Sequence, residues 1–178
     1  MRAAEYAVTG GIAVQAYAPS GMAPGDPYFD VLRDIADRNA AAEVWVAVHP
    51  GAAGAVGEGA GGAIVGTVTW CPTGSPYGEI AAAGEAEFRM LAVAPQAQGR
   101  GVGRALVLAC IERARAEGAT AVVLSSATWM TAAHRLYESL GFSRDPSRDW
   151  SPRPDIDLLA YRLALAAKQR KDGRPWRS

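Results

Sequence analysis

Apolar positions along the chain repeat with two periods, and the change from one to the other marks out the elements. Between Tyr28 and Ala42, the residues Phe29, Leu32, Ile35 and Ala36 share one face with Asp and Arg opposite, which predicts a single amphipathic helix. A weaker helical stretch covers residues 4–17, and Pro19 to Pro27 forms a turn-rich break between the two. Val44 to Val48 is β-branched and aromatic and reads as a strand, with Ile64 to Trp70 returning beside it and ending at Cys71-Pro72. The stretch between them, Pro50 to Gly62, holds only Gly, Ala, Pro, Val and one Glu, and reads as a mobile hairpin loop. After a second loop rich in Gly, Pro and Ser, Glu85 to Val93 is the next strand.

A helix follows from Gly101 to Glu117, with Val102, Leu106, Ala109 and Cys110 along one stripe and Gly118 as its stop. Ala121 to Ser125 is an apolar strand. The next helix carries Ala133, Leu136, Tyr137 and Leu140 at helical spacing, and Gly141 supplies a left-handed end that folds Phe142 back on Tyr137. Ile156 to Leu165 is the last strand. Strand–helix–strand order after residue 85 requires a parallel crossover inside a sheet, whereas the strands at Val44 and Ile64 form an antiparallel hairpin. The expectation is one mixed α/β domain over residues 1–166, followed by a basic, solvated tail over 167–178.

Composition narrows the function classes. The chain has 178 residues, 49% of them hydrophobic, and 18 basic residues balance 18 acidic ones. A net charge of zero gives no electrostatic reason to expect nucleic acid or an anionic membrane as partner. Two cysteines, Cys71 and Cys110, make no disulfide framework and point to a reducing cytoplasm. His49 and His134 show no metal-binding spacing, so no metal is expected. Ala16-Tyr17-Ala18 imitates a signal-peptidase site, but Glu5 and the interruptions at Gly10, Gly11 and Gln15 break that pattern. No apolar run is long enough for a membrane span.

The densest chemical signal is Gln98-Gly99-Arg100-Gly101-Val102-Gly103-Arg104, where a strand turns into a helix. Free N–H groups at a helix start, together with the positive end of its dipole, form an anion site. Glycines let that backbone approach phosphate oxygens, and Arg100 and Arg104 add charge at the rim. A Walker A loop is excluded because no Lys-Ser or Lys-Thr follows. The dinucleotide pattern is excluded because the position for its last glycine holds Arg104, or Leu106 if counted from Gly101.

What fits is [QR]-x-x-G-x-[GA], as Gln98, Gly101 and Gly103, preceded by Glu87-Phe88-Arg89-Met90-Leu91-Ala92-Val93 and followed by an A-x-x-L-Y-x-x-x-G-F block from Ala133 to Phe142. Over roughly Val44 to Leu165 the chain resembles the GCN5-related N-acetyltransferase (GNAT) family. The resemblance implies an α/β domain with helices on both faces of a mixed, mostly antiparallel sheet. Its central parallel strands would splay to hold acetyl-CoA, the co-substrate. It implies that the backbone of Leu91, Ala92 and Val93 pairs with the pantetheine and that residues 98–104 hold the pyrophosphate. Met130, where the family often has Asn, and Ala133 would stand near the coenzyme. Tyr137 matches the general acid. Glu87 matches a strand glutamate used as base in some members, and it shares an ideal strand face with Val93; Glu85 and water are the rivals. Family members usually begin with a strand before the first helix, whereas this chain opens inside that helix, so the first edge strand is either upstream or absent.

The implied reaction is direct transfer of an acetyl group to an amine of a small molecule or peptide, by a monomer or homodimer. A coenzyme-binding domain that has lost transfer is the alternative. Aromatics available to an acceptor pocket are Tyr17, Tyr28, Phe29, Trp70, Trp129 and Trp150, and Asp26, Asp30, Asp149 and Asp155 are available to a cationic acceptor.

Overall fold

The computed structural model describes residues 3–18, 22–23, 25–50 and 62–166. Helix α1 (Ala3–Tyr17) is followed by α2 (Tyr28–Arg33) and α3 (Ile35–Ala41). Strands β1 (Glu43–Pro50), β2 (Gly62–Cys71) and β3 (Glu85–Val93) lead to α4 (Val102–Glu117), β4 (Ala121–Ala127) and α5 (Thr131–Ser139). The short strands β5 (Ser143–Arg144) and β6 (Trp150–Arg153) precede β7 (Ile156–Ala164).

The strands form one sheet in the order β1-β2-β3-β4-β7-β5, with β6 also paired to β7. Only β3 and β4 run parallel, and β1 is the outer strand among the described residues. One core, with Phe88, Leu106, Val107, Val122 and Tyr137, packs α4 and α5 on one face. The other, with Ile12, Phe29, Leu32 and Met90, packs α1 and α2 on the opposite face.

Two features decide the geometry of the centre. The parallel ladder joins only Glu85–Glu87 to Ala121–Val123, although β3 continues to Val93 and β4 to Ala127, so the strands part beyond it. At the same point β3 bulges. Thr69 pairs with Arg89 and Thr67 with Ala92, so Val68 alone faces both Met90 and Leu91, and Met90 takes a φ of 53°. The bulge reverses the alternation of the strand: Phe88 lies in the α4 core and Met90 in the α1 core. The shared face expected for Glu87 and Val93 therefore does not carry through.

The single helix expected over Tyr28 to Ala42 is two. Asp34 leaves the helical region (φ −78°, ψ 76°) and its carboxylate accepts the Asp37 N–H, starting a new helix. The polar face read there also conceals Arg38, which is fully buried. Its guanidinium donates to Thr69 Oγ1, Leu32 O and Met90 Sδ, tying α2, β2 and the bulge together. Along α4 the buried stripe is Leu106, Val107, Cys110, Ile111 and Ala114, while Ala109 faces solvent. The short strands β5 and β6 gave no periodic signal in the sequence, because two and four residues are too few to show one. The expected hairpin loop at 51–61 and the basic tail lie outside the described residues.

Candidate active site

Gly99 and Gly101 adopt left-handed conformations (φ 72° and 81°), and Gly101 caps α4 with no side chain bonded to the helix end. The backbone N–H groups of residues 99–104 have no acceptor among the described residues, leaving a row of donors at the start of α4. A Cβ at Gly103 would lie 3.3 Å from the Leu136 side chain on α5, a close approach that glycine relieves. The Gln98 side chain donates to Val93 O at 3.3 Å and pins the loop to the end of β3.

This loop forms one wall of a cleft of about 680 Å3. Leu91, Ala92 and Val93 of β3, the loop residues Gln98, Gly99, Gly101, Val102, Gly103 and Arg104, and Met130 and Ala133 of the opposite wall all line it. Arg100 is exposed and stands outside the cleft. Met130 is the N-cap of α5 but makes no side-chain cap, which an Asn there would do.

A second cavity of about 320 Å3 adjoins the first, with Tyr17, Trp129 and Met130 lining both. Tyr28 and Val31 of α2, Arg89 and Met90 of β3, and Trp150 of β6 complete much of its wall. Two expected acceptor aromatics are elsewhere: Phe29 and Trp70 are core residues. The four aspartates are also engaged, Asp26 and Asp155 with Arg153, Asp30 with Arg33, and Asp149 with Arg144, and none lines either cavity. The carboxylate that does line the second cavity is Glu79, paired to Arg89 at 2.7 Å. Burial pushes its pKa up, opposed by Arg89. The sequence concealed Glu79 within a Gly/Pro/Ser loop without periodicity.

Neither strand glutamate faces the clefts. Glu87 is 1% exposed, and its Oε2 accepts the N–H groups of Glu79, Ile80 and Ala81, each at 3.0 Å. Its second oxygen is buried without a partner among the described residues and Glu87 lines neither cavity, so the structure adds no support to the base expected at this position. Its task is to fold the 79–81 loop. Glu85 is held by Arg148 and Arg162; burial opposes its ionisation, but the two guanidinium groups prevail and hold the carboxyl at about 2. Glu85 lines neither cavity either.

Tyr137 is 5% exposed, packed among Phe88, Phe142 and Tyr161 with ring centroids 5.8 to 6.1 Å away. It does not line the cleft, although Leu136, its neighbour in α5, does. Burial pushes the Tyr137 pKa well up, so the phenol stays protonated.

A sequence profile of the acetyltransferase (GNAT) family matches residues 22–142, about two thirds of the chain. The chain belongs to this family. A mycothiol acetyltransferase from Renibacterium salmoninarum is 43% identical over 58 residues, which are 33% of this chain and 17% of that protein. The matched part is thus about a fifth of the length of such relatives. A GNAT-family protein from Desulfovibrio desulfuricans superposes with a TM-score of 0.66 at 20% identity, covering 93% of this chain and 95% of that one. A Salmonella typhimurium protein solved with acetyl-CoA gives 0.60 at 20% identity, covering 98% and 96%. The residues present fit acetyl-CoA: the unpaired amides suit a pyrophosphate, and the parted strands offer an extended slot for a pantetheine. No cluster of His, Cys, Asp or Glu suited to a metal occurs among the described residues, and no helix there is long and apolar enough to cross a membrane.

Proposed function

We propose that this chain is an acetyl-CoA-dependent N-acetyltransferase that passes the acetyl group directly to the amine of a small-molecule or peptide acceptor. The carrying observation is the junction at Tyr17, Trp129 and Met130, where the amide-lined cleft opens into a second, aromatic cavity beside the parted strands. Acetyl-CoA brings the activated acetyl group. Residues 98–104 hold its pyrophosphate, and the β3 backbone over Leu91 to Val93 orients the pantetheine.

An N–H in that stretch faces the acetyl oxygen and stabilises the charge that builds there. Tyr137, protonated and fixed by its aromatic neighbours, supplies a proton to the departing sulfur. The amine must shed its own proton to become a nucleophile. With Glu87 and Glu85 committed elsewhere, that proton leaves through water. The two buried free thiols, Cys71 and Cys110, support a reducing cytoplasm as the place of action.

The test is thiol release from acetyl-CoA across a panel of amines, beside calorimetric titration of acetyl-CoA. Release that depends on an amine supports the proposal. Tight acetyl-CoA binding with no amine-dependent release would make the chain a coenzyme-binding domain without transfer.

A further inference from the structure

We propose that the second cavity takes a compact monocation, a primary amine on an aromatic or branched apolar body without a carboxylate or second charge, and that Glu79 is the counter-ion its ammonium meets. This rests on the acetyltransferase reading above. At about 320 Å3 the cavity is at the small end of ligand sites, which run from ~300 to ~1,000 Å3. Tyr17, Tyr28, Trp129 and Trp150 line it, and such rings attract both an apolar body and a cation.

The charges on the wall choose among cations and anions. Glu79 is the one carboxylate lining either cavity among the described residues. Its Oε1 meets Arg89, while its Oε2 is bonded to no described residue. The loop carrying it is fixed from below by Glu87, so the carboxylate is placed before any ligand arrives. Both guanidinium groups of the wall are already taken: Arg89 by Glu79 and Tyr77 O, and Arg153 by Asp26. A carboxylate on the acceptor would have to break one of these pairs. A second ammonium would face Arg89 and Arg153 with no further acid to receive it.

The test compares 2-phenylethylamine, phenylalanine and spermidine by thiol release, with acetyl-CoA binding measured in parallel by calorimetry. The proposal expects 2-phenylethylamine to exceed the other two by about tenfold or more in kcat/KM. Glu79→Gln should raise the KM for 2-phenylethylamine about tenfold while leaving the KM for acetyl-CoA nearly unmoved. Val31→Trp should also raise the amine KM by occupying the cavity, and since Val31 is 38% exposed that change spares the core. Equal or better use of phenylalanine or spermidine would overturn the proposal, as would an unchanged amine KM in Glu79→Gln. Acetyl-CoA binding with none of the three amines consumed would also overturn it, leaving the donor site standing. Absence of acetyl-CoA binding would instead remove the acetyltransferase reading itself.

Discussion

Tyr137 and Glu87 show how little a residue's type reveals before its hydrogen bonds are known. Tyr137→Phe keeps the ring packed against Phe88, Phe142 and Tyr161 and removes only the hydroxyl. As the loss of a general acid costs roughly 10²–10⁴ in rate, kcat should fall by at least about tenfold with acetyl-CoA affinity unchanged. Steady-state kinetics and titration check both, and an unaltered kcat would remove Tyr137 from the mechanism. Glu87→Ala withdraws the acceptor from three backbone N–H groups at once. Glu79 and Ala81 are exposed, so water takes up the released N–H groups and the 79–81 loop should loosen. The expected signature is a raised KM for the amine, carried by misplaced Glu79, with the KM for acetyl-CoA steady. The packing of Tyr137 against Phe142 was legible because both sit in a periodic helix and its glycine stop. The surroundings of Glu87 were not legible, because a strand position does not tell which loop folds over it.

At the scale of elements, close approaches and one bulge set the site. A Cβ at Gly10 of α1 would stand 2.7 Å from the Arg33 carbonyl oxygen at the end of α2. Helix propensity alone favours alanine there by about 1 kcal/mol, but a clash with backbone forces the helices apart at about 1–3 kcal/mol. Gly10→Ala should therefore lower the melting temperature, as calorimetry would show, and α1 carries Tyr17 to the junction of the cavities, so amine KM should rise with it. Most elements were readable from periodicity, including the hairpin, the crossover and the glycine stops at Gly118 and Gly141. The break at Asp34 and the bulge at Met90 were not. The first is a side chain competing with a helix hydrogen bond, and the second is a misfit in register that exists only once β2 and β3 are paired.

For the molecule as a whole, charge pairing couples the sheet to the segment after β5. Glu85 joins β3 to Arg148 and, on β7, Arg162. Its folded pKa of about 2 is below the ordinary 4.5, so its contribution to stability is fully present above pH 4.5 and is lost as pH falls through 2. Allowing for the partial exposure of both arginines, the loss is on the order of 2 kcal/mol. Urea unfolding followed from pH 5 to 2 should show this slope, and Glu85→Gln should flatten it. Ligand linkage gives a second global readout: acetyl-CoA at about 100 times its Kd should add about 2.7 kcal/mol to stability and raise the melting temperature.

Local chemistry in the sequence was enough to determine the main strands and helices, the fold class and the family. Glycine conformations, helix starts and apolar periods are properties of neighbouring residues, and Gln98 to Gly103 carries the first two. The tertiary structure alone decided which acid faces which cavity. Glu79, Glu85 and Glu87 lie within nine residues of one another in the sequence, yet one lines a cavity, one is clamped between arginines and one is buried under a loop. Their fates depend on the loop that folds back over β3 and on partners as distant as Arg162, and no local pattern encodes a contact made across the sheet.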